Sequence, residues 1–174
     1  MADRKLLNAE LGRISAQQYK SLPESGFVLV LDNIRSAHNV GSAFRTSDAF
    51  KVDKIYLCGI CACPPSAEIH KSALGAEDSV GWEHREDTLE TIRELKAMGY
   101  SIIGVEQTRH SVKLQDFHPS GDGKYAFVFG NEVDGVQQKV IDECDSCLEI
   151  PQFGTKHSLN VSVSVGIVLW QTVR

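Results

Sequence analysis

The segment that most restricts the fold is Phe27-Val28-Leu29-Val30-Leu31, five apolar residues in a row with no polar position among them. A strand with one wet face alternates. A run that is apolar on both faces has to lie between two covering layers, as parallel strands do. Similar segments recur at 54–58, 101–105, 125–129 and 147–150, with a short candidate at 80–84. Helical stretches fall between them, around 40–50, 70–76, 88–98 (stopped by Gly99) and 136–143. This alternation predicts an α/β domain with a mostly parallel sheet and helices on both faces. Ahead of it, residues 3–20 read as an amphipathic helix with Leu7, Leu11 and Ile14 on one stripe, ended by the breaker 21–26. The expected organisation is a helical extension over 1–25 and one domain over 26–174, a length that can bury a sizeable core.

Composition removes several classes. No apolar run nears the roughly 20 residues that cross a bilayer, and the first residues are polar and carry no signal-peptide core, so a cytoplasmic location is expected. Five cysteines without a secretion signal point to reduced thiols. Cys58, Cys61 and Cys63 together with the Cys144/Cys147 pair have zinc-like spacing, but no histidine supports either group and strand-end or helix-junction positions explain them, so no metal is expected. The net charge of −5 argues against nucleic-acid binding through bulk charge. Distribution matters more, and Arg35, His38, Arg45, Lys71, Lys156 and His157 lie in or near the segments below, while acidic residues gather at 83–94 and 142–149.

Three segments carry chemistry, each where a strand end meets a helix start, the ligand-binding edge of open α/β sheets. The first, 31–46, places Asn39 as a helix N-cap, Gly41 for close approach and Arg45 further along; a cap plus a solvated arginine is the plain alternative. The second, Gly130-Asn131-Glu132-Val133-Asp134-Gly135, follows an apolar strand. It lacks the Gly-Lys-Ser/Thr of a P-loop, and no GxGxxG opens a dinucleotide unit. A ligand read through backbone groups, such as an adenosine, suits it; an ordinary turn is the alternative. The third, 150–161, joins Ile150-Pro151 through Gly154 to Ser158-Leu159-Asn160, where Ser158 or Asn160 could simply be caps. The tail beyond alternates Val161-Ser162-Val163-Ser164-Val165 like a strand, yet runs 17 residues without a turn signal like a helix. Pattern alone leaves both open.

Taken in order, these segments resemble the three motifs of the SpoU (TrmH) family in the SPOUT superfamily: Asn-Val-Gly with Arg45, then Gly-Asn-Glu-Val-Asp-Gly, then Ile-Pro with Ser-Leu-Asn-Val-Ser-Val. The likeness spans about 26–172, and 70–76 adds to it. It implies a C-terminal deep trefoil knot, against the general rule for chains, and makes the tail a helix capped near Ser158. It implies S-adenosylmethionine as cofactor, held by Gly130, Asn131, Gly135, Ile150, Pro151, Gly154, Ser158 and Leu159. The expected reaction is methylation of a ribose 2′-hydroxyl in tRNA or rRNA. A homodimer is implied, with Arg45 reaching the ribose from the partner subunit and Asn39, Glu132, Ser158 and Asn160 arranging the site. Arg35, His38, Lys71 and Lys156 are the expected RNA contacts.

Arginine is a poor general base, its pKa exceeding about 12. The resemblance therefore implies a substrate phosphate helping Arg45 pass the proton, beside positioning and electrostatics. His38 and His157 are further candidates for base or phosphate contact, and Glu132 fits a structural role better than a base. Two competing readings share the fold: a catalytically silent RNA-binding or assembly protein, and a methyltransferase acting on a base nitrogen.

Overall fold

The computed structural model describes residues 3–172; Met1, Ala2, Val173 and Arg174, which the expected ranges 1–25 and 26–174 include, lie outside the described residues. The strands are β1 (Phe27–Asp32), β2 (Lys54–Cys58), β3 (Gly81–Arg85), β4 (Tyr100–Val105), β5 (Val112–Lys113), β6 (Lys124–Phe129) and β7 (Ser146–Glu149). They form one sheet in the order β3-β2-β1-β6-β4-β7-β5, and every pairing is parallel. The helices are α1 (Ala16–Lys20), α2 (Ala37–Ala49), α3 (Ala67–Ala73), α4 (Ala76–Ser79), α5 (Thr88–Ala97), α6 (Gln138–Ile141) and α7 (Val161–Thr172).

The period-2 geometry of the central strands sorts their side chains into two cores. Leu29, Leu31, Ile55, Leu57, Phe127 and Phe129 face one way and pack with Val40 and Phe44 of α2, Ile69 of α3 and Val165, Val168 and Leu169 of α7. Val28, Val30, Tyr56, Cys58, Ala126 and Val128 face the other way, toward Ile92 and Leu95 of α5 and Val140 of α6. Helices thus cover both faces, which is why β1 and β6 tolerate no polar interruption. Each fully buried Phe or Leu here contributes roughly 1.5–3 kcal/mol.

Several local expectations are corrected. Residues 3–20 are not one helix. A 3-10 turn over Asn8–Leu11 ends at Gly12 in the left-handed region (φ 59), and α1 restarts behind Ser15, whose hydroxyl accepts from Gln18 N while the Gln18 side chain accepts from Ser15 N. Leu7, Leu11 and Ile14 are exposed, so their stripe has no described face to bury against. In α2 the N-cap is Ser36, not Asn39: the Ser36 hydroxyl accepts from Asn39 N at 3.2 Å, leaving the Asn39 side chain free for other work. Helix α7 starts at Val161 behind Asn160 rather than near Ser158. The Asn160 side-chain oxygen accepts from Ser162 N at 2.9 Å, and its carbonyl accepts from Val163 N and Ser164 N. The helix expected over 136–143 is the single turn α6.

A zinc site shared by the two cysteine groups is excluded by topology. Cys58 ends β2 and Cys147 sits in β7, with β1, β6 and β4 between them, so four inter-strand steps separate them, about 19 Å at the usual spacing. The thiols have structural roles. Cys61 Sγ bonds Leu31 O and receives Ile34 N, while Cys144 and Cys147 pack against the bare backbone of Gly104, where a Cβ would lie 3.2 Å from both sulfurs. Among the described residues, no helix is long and apolar enough to cross a membrane.

Candidate active site

The carboxyl ends of β4, β6 and β7 open into one cleft of about 1110 Å³. Its walls are the chain after β4 (residues 106–110), the glycine loop after β6 (130–136), and the segment from the end of β7 to the start of α7. Two of the three sequence segments therefore meet in space, and the third joins them by hydrogen bonds.

Asn39, 7% exposed on α2, makes that junction. Its Nδ2 donates to Glu132 Oε1 at 2.7 Å, and its Oδ1 accepts from Asn160 Nδ2 at 3.2 Å. One amide thus fixes residues 93 and 121 positions away. Because Asn160 also caps α7, the relay Glu132–Asn39–Asn160 sets the glycine loop, α2 and α7 against one another.

The glycine loop is self-supported. Asn131 Oδ1 accepts from Val133 N and Asp134 N, and the main chains of Asn131 and Gly135 exchange both hydrogen bonds. At Gly130 a Cβ would fall 1.9 Å from Gly135 C and 2.0 Å from Val136 N, so no side chain fits. Gly135 has φ +67, and a Cβ there would meet Glu106 Oε2 at 2.2 Å.

Glu106 is a functional-edge residue that sequence reasoning missed. Its carboxylate accepts from Val136 N at 3.2 Å and Gln107 N at 2.8 Å, stapling the glycine loop to the end of β4. Gln107 Nε2 then donates to His157 O at 2.7 Å, which ties the opposite wall. The signal available was a polar run, Glu106 to His110, directly after a strand. Asp32, fully buried at the end of β1, was also missed: it receives Thr88 Oγ1, Gln137 N and Gln137 Nε2, and so anchors the helix side of the same edge.

Of the expected site residues, Gly130, Asn131, Glu132, Gly135, Ile150, Ser158, Leu159 and Asn160 line the cleft. Pro151 and Gly154 lie in the 150–157 segment without lining it. Arg45 is exposed on α2 outside the cleft and has no hydrogen bond or ion pair among the described residues. Arg35, His38, Lys71 and Lys156 are exposed and outside it as well, whereas His157 lines it. Across 152–159 the backbone makes no backbone–backbone hydrogen bond among the described residues; apart from His157 O, which accepts from Gln107, its N–H and C=O groups are open to a ligand. The cleft is lined by the carboxylates Glu106, Glu132, Asp134 and Glu149 against one arginine, Arg109. The Glu149 carboxyl is held below its usual range, chiefly by the Lys113 ammonium and then by the Ser111 hydroxyl.

An open parallel sheet with a cleft between strand-to-helix loops at the carboxyl edge defines a ligand-binding class of α/β proteins. Within it the chain belongs to the SpoU rRNA Methylase family, which it matches over residues 26–170. It is 36% identical over 155 residues to the 23S rRNA (guanosine-2'-O-)-methyltransferase RlmB of Neisseria meningitidis, covering 89% of this chain and 61% of the relative. The RlmB of Nitrosomonas europaea is 37% identical, with 89% and 58% covered. The chain thus spans about three fifths of these relatives' length. Among solved structures, the A. aeolicus TrmH/SpoU tRNA modifying enzyme superposes with a TM-score of 0.79 at 24% identity, covering 90% of this chain and 78% of that one. An AdoMet-bound rRNA methyltransferase from Sinorhizobium meliloti gives 0.78 at 25% identity, with 88% and 58% covered.

Proposed function

We propose that this protein transfers a methyl group from S-adenosylmethionine to a ribose 2′-hydroxyl of RNA. The observation that carries the reading is the Glu132–Asn39–Asn160 relay, which ties one polar residue from each of the three motifs together beside the cleft. Two relatives are named for 2′-O methylation of 23S rRNA, which favours ribosomal RNA over transfer RNA as substrate.

The cleft chemistry fits the cofactor. Four lining carboxylates suit a sulfonium and an ammonium better than a pyrophosphate, and main chain at 152–159 that forms no backbone ladder suits an adenine. Gly130, Asn131, Gly135, Ile150, Ser158 and Leu159 would hold it, with Pro151 and Gly154 shaping the loop. Bound there, S-adenosylmethionine supplies an electrophilic methyl. The protein's part is to place the ribose oxygen in line and to accommodate its proton. Arg45 cannot act as an ordinary base, so its guanidinium orients the ribose and a neighbouring phosphate, and the phosphate takes part in moving the proton.

Arg45 lies outside its own chain's cleft, which suits a homodimer in which the partner subunit completes each site. The exposed apolar stripe Val163, Ile167 and Trp170 on α7 supports such a pairing. A knot is supported by the topology. The chain from β4 runs outward past β7 to β5 before returning to β6. A knot would have the segment leaving β7 pass that excursion on its way to α7, which packs on α2. The hydrogen bond from Gln107 to His157 O brings the chain after β4 and the segment leaving β7 side by side, which is compatible with such a passage. Arg35, His38, Lys71 and Lys156, all exposed, are the phosphate contacts of this reading. Location in the cytoplasm and a domain boundary near residue 26 complete the reading.

The test is methyl transfer from labelled S-adenosylmethionine to RNA from cells lacking the gene, followed by nucleoside mass spectrometry. A 2′-O-methylnucleoside is the expected product. A methylated base would make the protein a base methyltransferase instead. RNA retention with no cofactor heat in calorimetry would make it a silent binding protein.

A further inference from the structure

Phe153 is 98% exposed, more than any other large apolar residue described, on the loop between the end of β7 and α7. Leaving a phenylalanine in water forgoes roughly 1.5–3 kcal/mol relative to burying it. Its neighbours on the loop are Gln152, Gly154, Thr155, Lys156 and His157, of which Gln152 and His157 line the cleft. The loop is lightly held. Among the described residues one side-chain bond, Gln107 to His157 O, ties it, and around Gly154 there is open space for a Cβ.

We propose that Phe153 is a stacking platform for an unpaired RNA base at the rim of the cleft, with Lys156 taking the adjoining phosphate. The inference rests on the reading of this protein as an RNA methyltransferase and names how the acidic chain grips its substrate. A single ring among polar residues and one lysine suits single-stranded nucleic acid, whose bases stack on aromatic faces while its backbone meets cations. A protein interface gathers apolar side chains instead, as α7 does with Val163, Ile167 and Trp170. The net charge of −5 adds to the case, because stacking is independent of charge and supplements the phosphate contacts of an acidic chain.

The experiment is filter binding of the full chain to total RNA from cells lacking the gene, over a salt series, with calorimetry of S-adenosylmethionine on the same proteins. Phe153→Ala should weaken RNA binding by about 5- to 150-fold, the loss expected for one base–aromatic stack, with an unchanged salt slope. Phe153→Tyr should restore binding and Phe153→Leu should not. Lys156→Ala should instead lower the salt slope by about one. Cofactor affinity should be the same throughout. Wild-type RNA affinity in Phe153→Ala, or full rescue by Phe153→Leu, overturns the proposal. So does a change of oligomeric state in Phe153→Ala, which would place the ring against a second copy. Failure of the wild type to bind the cofactor sinks the methyl-transfer reading while the RNA series still decides the stack. Failure to retain RNA with cofactor binding intact does the reverse.

Discussion

At the scale of single residues, the site is organised by an amide that can donate and accept at once. Asn39 gives its N–H to Glu132 and its oxygen to Asn160, so no single-function side chain replaces it. Both partners are exposed, so Asn39→Ala should cost only about 1 kcal/mol of stability. Asn39→Asp should cost more at pH 7, since it sets a second carboxylate where 2.7 Å now separates Asn39 Nδ2 from Glu132 Oε1. Like charges raise one pKa of such a pair. The extra penalty is therefore full above the raised value and fades as pH falls through it toward the ordinary carboxylate range near 4. Thermal melts of both variants at pH 7 and pH 4.5 check this: the gap between them should close at the lower pH. Gly130 gives a sharper steric test. A Cβ there would fall 1.9 Å from the backbone of Gly135, so Gly130→Ala must displace the loop. Calorimetry should find S-adenosylmethionine affinity lost while the melting transition remains cooperative.

At the scale of elements, α2 sets two demands on one position. Ala outranks Gly in a helix interior by about 1 kcal/mol, so Gly41→Ala on an isolated helix would stabilise. Here the new Cβ would lie 2.1 Å from Ser72 Oγ and 2.5 Å from Ile69 O of α3. The serine can turn away, but the carbonyl is backbone, and overpacking costs typically 1–3 kcal/mol. The clash should win, and denaturant unfolding should show net destabilisation. Such effects separate what the sequence made legible from what it hid. The strands were readable because Phe27 to Leu31 and Tyr125 to Phe129 are apolar on both faces, and only a doubly covered sheet explains that. The cleft-lining positions at 130–135 and 158–160 were readable through the order of the three motifs, since taken alone their residues suit an ordinary turn and helix caps equally. Other features were not. One N–H decides between Ser36 and Asn39 as cap, and both residues have the right chemistry for it. The Glu106 staple depends on a loop 30 residues away. The stripe of Leu7, Leu11 and Ile14 has helical period, but Gly12 turns left-handed within it and nothing described covers it.

At the scale of the whole molecule, buried thiols and a buried phenol make the fold sensitive to alkali. Burial pushes Cys58 up to about 11 and Cys61 and Cys144 up to about 12, and it raises Tyr19 too. The folded state then holds protons that the unfolded chain sheds from about pH 9 upward. Stability contributed by these groups is complete below that pH and declines as pH rises through the folded values. Melting temperature should fall steadily above pH 9, and Cys61→Ala should flatten that fall. The proposed dimer makes a different demand, that each cleft borrow Arg45 from its partner. Arg45→Ala chains keep the cleft and lose the arginine, whereas Gly130→Ala chains keep the arginine and lose the cleft. Each homodimer should be inactive. In a refolded equal mixture half the dimers are mixed, and each mixed dimer has one site with an intact cleft facing an intact Arg45, so about a quarter of wild-type activity should return if the interface is two-fold. An arginine acting on its own chain's cleft would return none. Ile167→Asp, placed on the exposed stripe of α7, should abolish the recovery and shift the sedimenting species to the monomer.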